Sequence, residues 1–81
     1  MDIRKGTIVY SKAGRDKGDF QVVMCCHGGY VEVCDGKYRP LERLKRKSLK
    51  HVKVINSMIS DENMLTNKSI RKALQSFSKS T

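Results

Sequence analysis

The nine residues Ser11 to Asp19, SKAGRDKGD, lie between two apolar runs, TIVY and FQVV, and this arrangement constrains the fold more than any other stretch of the chain. Two short β-prone runs separated by a polar, glycine-containing stretch read as neighbouring strands joined by a loop. Gly14 and Gly18 allow positive φ, where a residue bearing a Cβ would be strained, so the loop is shaped rather than slack. Lys12, Arg15, Asp16 and Lys17 stand around the two glycines. Glycine turns of this kind expose consecutive N–H groups as a concave anion site, and three long cations beside it add attraction for phosphate oxygens. The same stretch also reads as an ordinary hairpin turn with a solvated, charged tip.

Length limits what can be built around that loop. Eighty-one residues make one small domain with little room for a buried catalytic cleft, and a core of this size supplies only about 3–5 kcal/mol of net stability. Seventeen Lys and Arg against eight Asp and Glu give a formal charge of +9, and the pI near 9.8 is that of a chain with an electrostatic nucleic-acid footprint. A polyanionic partner is expected. The start, MDIRKG, holds no long apolar region, and the longest apolar runs fall far short of a membrane span, so a soluble, cytoplasmic protein with no membrane partner is expected. Three cysteines without disulfide-framework spacing fit a reducing compartment.

In chain order, Gly6 to Tyr10 reads as a first strand and Phe20 to Cys26 as a second. Phe20, Val22, Met24 and Cys26 share one parity, and that face is the expected core. Gly28-Gly29 is a hairpin signal, Tyr30 to Cys34 a third strand with Val31 and Val33 inward and Glu32 outward, and Asp35-Gly36 a second hairpin signal. From Lys37 to Lys53 the chain carries eight cations against one acid, Glu42, a net +7. Pro40 marks an edge or loop, Leu41 and Leu44 anchor it, and Lys45, Arg46 and Lys47 are expected to project into solvent. Val52 and Val54 alternate with polar residues, as in a closing strand that pairs back onto the first. Five short strands with no helix between them indicate a mainly β fold, a small, highly curved antiparallel barrel over residues 1–56.

Residues 57–81 follow as a C-terminal helical extension. Ser60, Asp61 and Glu62 suit the start of a short turn. Thr66 or Asn67 then caps a longer helix, with Ile70, Ala73, Leu74 and Phe77 on one face and Lys68, Arg71 and Lys72 on the other. A dozen residues is marginal for an isolated helix, so the stripe either docks on the barrel or orders on a partner. Ser78 to Thr81 reads as a frayed tail.

Other chemistry finds little footing. Cys25, Cys26, His27, Cys34 and His51 lack paired CxxC spacing and adjacent strand residues face opposite ways, so no metal is expected and the thiols read as small apolar packers. No carboxylate pair, nucleophile elbow or phosphate-binding Walker loop is present, so neither an enzyme nor a cofactor or small-molecule substrate is expected. Tyr10, Phe20, Tyr30 and Tyr38 are candidates for base stacking, with core packing the competing role.

Gly6, Ile8, Val9, Lys12, Gly14, Arg15, Asp16, Lys17, Gly18, Val22 and Val23, in this spacing, resemble a KOW motif: a strand, a basic glycine loop and a second strand. The likeness runs to the KOW branch of certain archaeal and eukaryotic large-subunit ribosomal proteins and to small bacterial KOW-containing RNA-binding proteins related to them. The stretches DGKYRPLE and KRKSLKH also look like the bacterial proteins, so the resemblance covers roughly residues 3–55. Where the broader KOW pattern often has a further glycine, this chain departs from it with Asp19, Phe20 and Gln21, which weakens the parallel with KOW transcription factors more than the ribosomal one.

The resemblance implies an SH3-like barrel that binds RNA. Few aromatics and many lysines favour reading backbone shape over unstacked bases, which suits folded RNA. The expectation is therefore an RNA-binding module associated with ribosomal RNA or the ribosome, ribosomal proteins being possible further partners. In the loop Lys12, Arg15 and Lys17 grip phosphates while Gly14 and Gly18 shape the approach. Lys37, Arg39, Arg43, Lys45, Arg46, Lys47, Lys50, His51 and Lys53 extend the footprint. The alternative is a protein-interaction barrel whose charge serves an acidic partner, docking through the C-terminal helix.

Overall fold

A computed structural model describes residues 3–15 and 17–78. Five strands form one antiparallel sheet: β1 (Thr7–Ser11), β2 (Phe20–His27), β3 (Tyr30–Cys34), β4 (Lys45–Ser48) and β5 (Val52–Met58), in the order β4-β3-β2-β1-β5. Single 3-10 turns follow β4 and β5, at Leu49–His51 and Asp61–Met64, and a helix, α1 (Asn67–Ser78), completes the described chain. The fold is thus mainly β with a C-terminal helix. β5 pairs back onto β1, Ile8 opposite Ile55 and Val9 opposite Val54, as the alternation around Val52 and Val54 predicts.

β4 and β5 are the two edges of the sheet, yet only the turn Leu49–His51 separates them in the chain. A flat sheet would hold its edges about 19 Å apart, four spacings of about 4.8 Å, whereas a three-residue 3-10 turn advances only about 6 Å. The sheet therefore curls hard until its edges approach one another at that end. Leu49 N–H donates to Gly29 O at 3.2 Å and Lys12 N–H to His51 O at 2.8 Å, which pins the turn to both sides of the opening.

Both faces of the curled sheet are covered, and this departs from the one-faced strand expected of β2. Val9, Val23, Val31, Val33 and Val52 fill the concave side, while Ile8, Val22 and Cys34 pack on the other side against Ile59, Met64, Ile70 and Leu74. A register shift between Val23 and Cys25 then breaks the alternation. A bulge of this kind reverses which face the following side chains take, so Cys25 turns out of the valine side to stand opposite Glu32; Cys26, opposite Val31, is exposed as well, and of the three thiols only Cys34 is the apolar packer expected. Burial, above all, pushes the Cys34 thiol above its ordinary value and keeps it protonated.

The helix docks on the sheet. Ile70 and Leu74 are buried and Ala73 and Phe77 pack beside them, the stripe expected from the sequence. Thr66 is its N-cap, the Oγ1 accepting the Ser69 N–H at 3.1 Å. Asn67 does different work: its Oδ1 accepts the Leu41 N–H at 2.7 Å and its Nδ2 donates to Glu42 Oε1 at 2.8 Å, tying the helix start to the loop between β3 and β4. Residues 79–81, most of the expected tail, lie outside the described residues, as does Asp16.

The Asn67 hydrogen bond holds the Glu42 carboxyl below its ordinary value. A lowered folded-state value stabilises at neutral pH and is lost as pH falls through it. The melting temperature of the native chain should therefore exceed that of Glu42→Gln at pH 7, and the gap should close through the carboxylate range. A gap independent of pH would show that the carboxylate charge plays no part in seating the helix.

Asp35-Gly36 opens a long loop rather than the two-residue hairpin its sequence suggests. The Asp35 carboxylate accepts the Lys37 and Arg39 N–H groups, each at 2.8 Å, folding the chain back on itself before β4 begins at Lys45.

Candidate functional site

The loop between β1 and β2 is shaped as its glycines require. Gly14 and Gly18 take φ of 88° and 95°. Ser11 N–H donates to Asp19 O at 3.0 Å and Gly18 N–H to Ser11 O at 2.9 Å, closing the base, while Lys17 N–H to Gly14 O at 3.2 Å makes an inner turn. Lys12, Arg15 and Lys17 are exposed around it.

A strut from β4 holds the loop from beneath. Register places Lys45 and Lys47 opposite Val33 and Val31, so both begin on the concave side of the sheet. Lys47 is only 6% exposed, and its Nζ donates to Ala13 O at 2.7 Å. The same carbonyl accepts Ser11 Oγ at 3.0 Å. The expectation that Lys47 projects into solvent is therefore corrected. KRKS becomes a strand by pairing with β3, and its alternation sends Lys47 inward, where the long stem is covered by valines and the ammonium finds a carbonyl.

Above the strut lies a groove of about 430 Å³. Ala13, Gly14 and Arg15 form its loop side, with Arg39, Lys45, Arg46, Lys47, Ser48 and His51 opposite, and no acidic residue among the described residues lines it. A second recess, about 470 Å³, shares Arg15 and Arg39 and adds Asp19 and Tyr38. Arg15 and Arg39 thus stand between two openings, and their planar donor forks suit bidentate contact with phosphate or carboxylate.

The groove brings together Gly14 and Arg15 from the loop with Arg39, Lys45, Arg46, Lys47 and His51 from the basic segment. Lys12, Lys17, Arg43, Lys50 and Lys53 are exposed and line none of these recesses. Gly18 and Lys37 border a separate recess of about 270 Å³ against α1, where Arg71 joins them. Ser48 and Arg71 did not stand out in the sequence: one sits in a lysine run and the other on what reads as a solvated helix face.

The aromatic candidates divide. Tyr10 packs edge-on to Phe20 at 5.3 Å, and Phe20 meets Phe77 at 6.4 Å, so both belong to the packing under the helix. Tyr30 is sandwiched, His27 stacked on it at 4.8 Å and the Arg46 guanidinium 4.5 Å from its ring centre. Tyr38 is 70% exposed beside Arg15 and Arg39, with Lys37 Nζ 5.0 Å from its ring centre, which leaves ring surface open to a ligand.

No helix among the described residues is long and apolar enough to cross a membrane. No family model matches the chain and no curated protein matches it.

Proposed function

We propose that this chain is a non-enzymatic RNA-binding module of the KOW type, its curled sheet an SH3-like barrel, that grips the phosphate backbone of folded RNA in the cytoplasm. Ribosomal RNA is the class of target that the motif likeness favours. The observation that carries the reading is the groove, free of acids among the described residues, in which Arg15 from the glycine loop meets Arg39 and Lys45 from a segment more than twenty residues later. Cations gathered in one concave surface focus positive potential on whatever polyanion fits it. A ridge of folded RNA presents closely spaced phosphates, and Tyr38 at the margin offers one ring to a base that leaves the stack.

The competing reading, a barrel docking an acidic protein through its C-terminal helix, has less support. Ile70 and Leu74, the apolar stripe it would use, are buried against the sheet.

Binding is tested by titrating a structured RNA hairpin at several salt concentrations. Each neutralised phosphate contributes about 0.7–0.9 to the slope of log affinity against log salt, so the three groove cations Arg15, Arg39 and Lys45 give a slope of about −2 or steeper. A slope near zero would remove phosphate gripping. An acidic protein that displaces the RNA at equal concentration would shift the assignment to the competing reading.

A further inference from the structure

We propose that the β2–β3 hairpin carries a site for one Zn²⁺-class ion, held by Cys25 Sγ, the His27 imidazole and the Glu32 carboxylate, with a fourth position open to water. The ligand atoms of these three residues all lie within 4.8 Å of one another. His27 Nε2 and Glu32 Oε2 are already 3.3 Å apart. Zinc bonds of about 2.0–2.3 Å place tetrahedral ligand atoms about 3.3–3.6 Å apart, so small side-chain rotations bring Cys25 into range.

The backbone accounts for the convergence. The register shift between Val23 and Cys25 turns Cys25 away from the valine core. His27, two residues on, shares its face, and Glu32 is the direct cross-strand partner of Cys25. The Gly28-Gly29 turn fixes the pairing, and stacking on Tyr30 at an interplanar angle of 16° limits how the His27 ring can rotate. Sequence spacing alone conceals the site, because the third ligand comes from the neighbouring strand.

The donor set selects the ion. One thiolate, one imidazole and one carboxylate suit zinc or cobalt and suit calcium or magnesium poorly. Thiolate and carboxylate together neutralise a dication. Arg46, cross-strand from Glu32, opposes it, but its guanidinium lies over Tyr30. Cys26, the adjacent thiol, lies outside the set, its Sγ donating to Ile3 O at 3.1 Å.

The test is Co²⁺ titration of the reduced, chelator-treated full chain, followed by displacement with Zn²⁺. A saturable thiolate-to-cobalt charge-transfer band at one ion per chain is expected, abolished by Zn²⁺. Cys25→Ser should remove the band, His27→Ala should weaken binding by about 100-fold or more, beyond the 10–100-fold typical of losing an outer-shell partner, and Cys26→Ser should leave both intact. All three positions are exposed, and circular dichroism checks that each variant is folded; if Cys25→Ser does not fold, His27→Ala carries the comparison. Absence of the band, equal losses in the Cys25→Ser and Cys26→Ser variants, or saturation at one ion per two chains would each overturn the site.

Discussion

Gly36→Ala is expected to cost about 2–5 kcal/mol, a large part of what holds a domain of this size together. Gly36 has φ of 77°, and a residue with a Cβ held there pays about 1–2 kcal/mol in backbone strain. The larger part comes from the neighbour. A Cβ at Gly36 would collide with the Asn67 carbonyl oxygen and stand 3.0 Å from the Arg71 nitrogen. Both are backbone atoms of α1, so the clash cannot be relieved by turning a side chain, and the helix must lift. Overpacking of this kind adds about 1–3 kcal/mol. At about 4–8 °C per kcal/mol for a chain this short, the melting temperature should fall by about 8 °C or more. Gly29→Ala is the control: its φ lies outside the left-handed region and nothing stands within 4 Å of an added Cβ, so it should melt close to the native chain. If Gly36→Ala melts with it, the helix is not seated on that loop.

Gly36 also shows where sequence reasoning ran out. Asp-Gly between β-prone runs is a hairpin signal, and the local chemistry behind that signal is present in the Asp35 hydrogen bonds. The glycine answers to a helix thirty residues away, which no local pattern records. YVEVC was legible because period-two patterning and burial agree, with Val31 and Val33 inward as expected, and TIVY because a short β-prone run suits a strand buried on both faces. The helix stripe was legible for the corresponding reason at period 3.6. β2 was misread past Val23 because a bulge carries no obligatory glycine or proline, and its effect on parity moves Cys25 to the outer face. β4 was invisible as a strand, since KRKS has no apolar alternation and takes its conformation from pairing with β3. Of the groove, the residue types were legible and their convergence was not, because the curl of the sheet brings the basic segment up to the loop.

Lys47 separates a cation that attracts RNA from one that positions the cations that do. Lys45 and Lys47 lie two residues apart on one strand, carry the same charge and line the same groove, but only Lys47 reaches the Ala13 carbonyl. Lys47→Met keeps most of the buried stem and removes the donor, leaving Ala13 O with the Ser11 hydroxyl. Losing a charge-assisted hydrogen bond at a buried site costs about 1–3 kcal/mol, so this variant should melt about 5 °C or more below the native chain. Lys45→Met, at a half-buried position outside that strut, should melt near it and lower the salt slope by about 0.7–0.9, the signature of one lost phosphate contact. Without its strut the loop no longer holds Arg15 at a fixed point, and a fixed guanidinium is what distinguishes the spacing of phosphates in folded RNA from that in a flexible strand. Lys47→Met should therefore erode the preference for structured over single-stranded RNA, whereas Lys45→Met should weaken both by a similar factor. The two variants are compared at one salt concentration with both RNAs, at a temperature where each is folded by circular dichroism. Equal melting temperatures with the preference intact in both would mean that the ammonium beneath the loop is one more positive charge, and that recognition does not depend on the shape Gly14 and Gly18 impose.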